Sequence, residues 1–104
     1  MDKMERDQLF DLMDLLGTRA TQRIRRVLDI ASLANKETRI AEIELENIAT
    51  LWGVERIAVR TFIDRMLEIE KDGELLITYD HVLRHGQNTI YRIHFASWFP
   101  LDLA

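Results

Sequence analysis

Eleven of the fourteen cationic side chains in this 104-residue chain are arginine, and they are unevenly placed. Residues 19–39 hold five of them and residues 56–65 hold three. Arginine presents a flat fork of N–H donors that matches phosphate or carboxylate, so these two blocks are the first candidates for chemistry. The stretches between and after them, 40–55 and 66–80, are acidic. The whole chain carries a formal charge of −4, from 18 acidic and 14 basic residues. Such a total excludes indiscriminate coating of nucleic acid and makes the placement of the basic blocks decisive.

Other chemistry is poorly represented. Cysteine is absent, which removes thiolate metal sites, disulfides and cysteine nucleophiles together. The only serines, Ser32 and Ser97, lie in no nucleophile motif, and there is no glycine-rich phosphate loop. His81 and His85 stand four apart beside Asp80, but no third ligand is near and the segment reads as a loop. The expectation is therefore a protein without catalysis, metal or cofactor. The longest stretch free of Asp, Glu, Lys and Arg is Ile93 to Leu101, nine residues, against the roughly 20 a membrane helix needs. Four of the first six residues are charged, unlike a signal peptide, so a cytoplasmic location is expected.

The elements that must position the arginines follow from periodicity. Length and a 47% hydrophobic share predict one domain over 1–104. Leu9, Leu12, Met13 and Leu16 make one helical stripe, with Phe10 beside it, and Gly17 ends that helix. A second helix, about 19–34, places Ile24, Val27, Leu28 and Ala31 inward and Arg19, Arg23 and Arg26 elsewhere. Residues 39–43 read as a short strand. Leu45, Ile48, Ala49 and Trp52 mark a short helix that stops at Gly53. A longer helix follows from about Arg56 to Lys71, burying Val59, Phe62, Ile63 and Met66, with Asp72-Gly73 as its stop. The period then falls to two: Leu75, Ile77 and Tyr79 alternate, as do Tyr91, Ile93 and Phe95, around a polar loop over 80–89.

Helix, helix, strand, helix, turn, helix and hairpin is the order of a winged helix-turn-helix. The run IELENIATLWGVERIAVRTFIDRMLEIEKDGELLI resembles that superfamily in residues too, through Ala49, Gly53, Val54, Val59 and the Lys71-Asp72-Gly73 stop. The stretch from Trp52 to Ile63 is most similar to the N-terminal domains of phage and plasmid replication initiators of the DnaD-like kind. The fold class implied is α+β, a three-helix core with a β-hairpin wing. A helix over 1–17 precedes the core of 18–96, and an apolar tail over 97–104 follows it.

The resemblance implies a sequence-specific reader of double-stranded DNA, acting in transcription, replication or partition. The helix over about 55–71 would enter the major groove, and the wing over 80–89 would lie on the backbone or minor groove. Arg56, Ile57, Arg60, Thr61 and Arg65 are the candidates on that helix. Arg84, His85 and Asn88 are those in the wing, with Arg23 and Arg26 as further phosphate contacts. The plainer alternative is weak surface ion pairing of Arg56, Arg60 and Arg65 with Glu55, Asp64 and Glu68. A winged helix that binds a protein partner instead of DNA is the competing function. The apolar ends, Leu9, Phe10, Leu12, Met13 and Leu16 with Trp98, Phe99 and Leu101, predict a homodimer interface or else a completed core.

Overall fold

The computed structural model describes residues 13–14, 17, 20–85 and 88–103. Leu9, Phe10, Leu12, Leu16 and Arg19 lie outside the described residues. Residues 13–14 are helical, and the Met13 side chain is half-buried.

Three α-helices and two antiparallel sheets make an α+β domain among the described residues: α1 (Ala20–Ala31), α2 (Leu45–Trp52) and α3 (Arg56–Met66), with β1 (Ile40–Glu44), β2 (Glu70–Lys71), β3 (Glu74–Leu75), β4 (Ile77–His85) and β5 (Asn88–Phe95). The main sheet has the order β1-β5-β4, so the last strand sits between the first and the fourth. β1 and β5 pair with Ala41 opposite Ile93 and Ile43 opposite Tyr91. On β5 the alternation predicted from sequence is observed: Tyr91, Ile93 and Phe95 are all buried. Glu42 faces Arg92 across the solvent side of the same pair, with a 3.4 Å ion pair.

α2 and α3 bury the faces their spacing predicts, whereas α1 buries Val27 and Ala31 as expected, adds Ile30, and leaves Ile24 and Leu28 half-buried. Val27, Ile30 and Ala31 of α1, Leu45, Ile48 and Ala49 of α2, and Val59, Phe62, Ile63 and Met66 of α3 join the inner face of the sheet in one core. Gly53 ends α2 in the left-handed region, at φ 67°, where a Cβ would be strained. That tight stop turns the chain directly into α3.

Several expectations are corrected, and the helix expected over about 19–34 ends at Ala31. The third helix ends at Met66, not Lys71, because Ile69 accepts a hydrogen bond from the Leu76 amide (2.7 Å) and the chain is drawn into strand pairing. Asp72 (φ 54°) and Gly73 (φ 82°) are then no helix stop. They form the two-residue turn of the β2–β3 hairpin, whose twist favours left-handed residues at both positions. Leu76 replaces Leu75 in the core: Leu76 is fully buried while Leu75 is exposed, as is Tyr79. Finally, 80–85 and 88–89 are strand and not loop. β4 and β5 stay paired out to His85 opposite Asn88, with a bulge where Asp80 is the extra residue between Tyr79 and His81.

The C-terminal tail folds back onto the core. Phe99 is 2% exposed and packs on Phe95, with ring centroids 4.9 Å apart, and Leu101 is also buried. Arg39 holds the tail in place by donating from Nη2 to the carbonyl oxygens of Ala96 and Phe99. Phe99 and Leu101 are therefore withdrawn from the expected dimer surface, since their apolar area is already spent inside one chain. Trp98 is half-buried, and its indole N–H donates to the Glu74 carbonyl (3.1 Å).

Glu74 closes the tail from the other side. Its carboxylate accepts from the Ser97 amide (2.6 Å) and the Ser97 hydroxyl (2.7 Å). These bonds, the amide first, hold its carboxyl below the ordinary 4.5. A depressed folded-state pKa contributes stability above the unfolded value and loses it as pH falls through the folded one. Thermal unfolding of the wild type and of Glu74→Gln is thus expected to differ at about pH 7 and to converge toward about pH 3. A gap that stays constant across that range would show that the carboxylate charge is immaterial.

Candidate nucleic-acid interface

The turn at Gly53 sets α3 against α1, which brings the two arginine blocks together. Arg23 and Arg26 of α1 and Arg65 of α3 line one groove of about 320 Å³. Gln22 and Thr61 add polar groups to its walls, and Ile57, Ala58 and Phe62 supply the apolar part. Among the described residues, no carboxylate lines it. Each of these two helices carries three arginines against one aspartate, in a chain whose total is −4. Five residues singled out from sequence, Arg23, Arg26, Ile57, Thr61 and Arg65, thus converge on one place.

Arg26 is the best-positioned of the cations. Its guanidinium carbon lies 5.0 Å from the centre of the Trp52 ring and 6.0 Å from that of Phe62. The two rings meet edge to face at 5.3 Å, so they form a rigid corner. Trp52 is itself oriented by Asp29, whose Oδ2 accepts its indole N–H at 2.8 Å. Sequence reading placed Trp52 in the apolar stripe of its helix and missed this role. The available signal was the polar spacing Gln22, Arg26, Asp29, which runs along one face of α1.

The other candidates divide. Arg60 and Thr61 are exposed on α3, and Arg60 and Arg65 make no ion pair among the described residues. Arg56 does not pair with Glu55, its neighbour in sequence. Its Nη1 donates to Glu46 Oε1 of α2 at 2.8 Å, tying the start of α3 to the preceding helix. That hydrogen bond is the main reason the Glu46 carboxyl is held below its ordinary value. Glu55 occupies the N-cap of α3 in extended conformation, and its side chain makes no capping hydrogen bond. Arg84, His85 and Asn88 fall in the paired end of the β4–β5 ribbon and not in a loop. Their side chains lie outside the described parts.

Two large apolar side chains flank the basic groove in the open. Ile57 is 69% exposed and Leu51 65%. Leu51 borders a second groove of about 400 Å³ with Arg25, Asp29 and Trp52, on the other side of Arg26. No helix among the described residues is long and apolar enough to cross a membrane. No protein-family model matches the chain, nor does any curated protein or solved structure.

Proposed function

We propose that this chain is a winged helix-turn-helix protein that binds double-stranded DNA. α3 is the recognition helix and the β4–β5 ribbon the wing, in a small regulator of transcription, replication or partition. The observation that carries the reading is the groove between α1 and α3, where arginines distant in sequence converge. The order of elements supports it. β1 falls between α1 and α2, α3 follows a glycine turn, and the closing strand pairs in the middle of the sheet. In this reading Arg60 and Thr61 face base edges, while Arg23, Arg26 and Arg65 anchor phosphates. A dimer built on the apolar residues 9–16 would place two such helices about 34 Å apart, one turn of duplex.

Exposed Ile57 and Leu51 favour a second reading, a protein-binding winged helix, because large open apolar side chains mark protein contacts. One titration separates the two. Anisotropy of a labelled random-sequence duplex, measured across salt, is expected to give log affinity falling with log salt at about −3 or steeper, near −0.9 per phosphate contact. Absence of binding at low salt would transfer the assignment to a protein partner.

A further inference from the structure

We infer that the groove between α1 and α3 is a seat for a single phosphate-type oxyanion, with Arg26 as its fixed anchor. Most surface arginines lose side-chain freedom when they capture an anion, and that loss weakens the contact. Arg26 has lost much of it already. Its planar group is held on Trp52 and Phe62, and Trp52 is pinned in turn by Asp29. Stacking occupies the face of a guanidinium and leaves its N–H donors at the edge. Among the described residues those donors meet no hydrogen-bond acceptor and no ion-pair partner.

The surroundings select the ligand. Asp29, the acid nearest in sequence, is engaged by the indole and lines the neighbouring groove, which Arg26 and Gln22 also border. Arg65 brings a second guanidinium from the opposite wall, and Gln22 and Thr61 bring neutral donors. Donors converging from two helices suit the several oxygens of a tetrahedral phosphate. At about 320 Å³ the groove accepts a phosphate with part of its carrier and is too small for a second helix.

Two sources share that chemistry. One is a phosphodiester of duplex DNA, which rests on the function proposed above. The other is a free phosphate monoester, which does not. The probe is inorganic phosphate titrated into the ¹⁵N-labelled full chain, with chloride keeping ionic strength constant. Saturable shifts of the Arg26 Nε–H and Trp52 Nε1–H signals are expected. Arg26→Lys, which keeps the charge but loses the fork, is expected to weaken phosphate binding at least tenfold. Arg25→Lys, on the neighbouring groove, is expected to leave it unchanged. For duplex, Arg26→Gln is expected to flatten the salt dependence by about 0.9, one contact.

Phosphate binding that Arg26→Lys abolishes, without any duplex binding, establishes the seat for a free monoester and ends the DNA reading. Duplex binding with no phosphate response at Arg26 and an unchanged Arg26→Gln slope overturns the seat and leaves DNA binding intact. Shifts spread equally over exposed arginines, Arg25 and Arg60 included, also overturn it. Should the Arg26 variants fail to fold, the wild-type titration decides alone: no saturable shift at Arg26 and Trp52 overturns the seat.

Discussion

Phe99→Ala is expected to destabilise the domain by about 3–5 kcal/mol, the range for removing a buried aromatic ring. A domain of this size has roughly 5–15 kcal/mol in all, so the variant would stand near the edge of folding. The ring is 2% exposed and its neighbour across the core is Phe95 at 4.9 Å. The backbone around it is held by Arg39, so the site cannot readily collapse to fill the space. Chemical denaturation followed by circular dichroism measures the effect. Trp98→Ala is the control: it removes a half-buried ring whose indole bonds the Glu74 carbonyl, and about 1 kcal/mol is expected. If Phe99→Ala costs no more than Trp98→Ala, the tail is no part of the core, and a dimer surface at the C-terminus returns to consideration.

Arg60→Ala is expected to weaken binding to a preferred duplex by about 1–3 kcal/mol and to relax sequence preference at one position. Arg56→Ala is expected to do much less, although Arg56 lies closer to the start of the helix. The difference comes from Glu46. Its carboxylate holds the Arg56 guanidinium at 2.8 Å, whereas Arg60 has no ion-pair partner among the described residues. A guanidinium that must break a charge-assisted bond before it reaches DNA gains little on binding. Affinity and specificity of both variants, measured by competition between related duplexes, test this ordering. If Arg56→Ala is the more damaging, the ion pair opens on binding and the first turn of α3 is the reading surface. If neither variant matters, α3 does not read DNA.

Wherever the partner lies on the same element, sequence spacing was a sound guide. The buried faces of α2 and α3 followed from Leu45, Ile48 and Ala49 and from Val59, Phe62, Ile63 and Met66, because helical period is a local property. The alternation of Tyr91, Ile93 and Phe95 was legible for the same reason. Both arginine blocks were legible as composition.

What tertiary structure decided are the choices made between distant residues. Periodicity carries Leu67 and Ile69 onward from α3, yet the strand bond from Leu76 to Ile69 ends the helix and sets Leu76, not Leu75, inside. An apolar tail reads equally well as core or interface. Contacts from Arg39 to carbonyls 57 and 60 residues away choose the core. Likewise Arg56 finds Glu46 and not Glu55, and Arg26 finds Trp52, because chain reversal at Gly53 brings α2 and α3 against α1. The sequence by itself determined which residues are apolar, which are cationic, and the turn at Gly53. Which cation is held still, which is neutralised and which stays open depends on side chains brought close by folding, since electrostatic and packing energies fall off with distance in space and not along the chain.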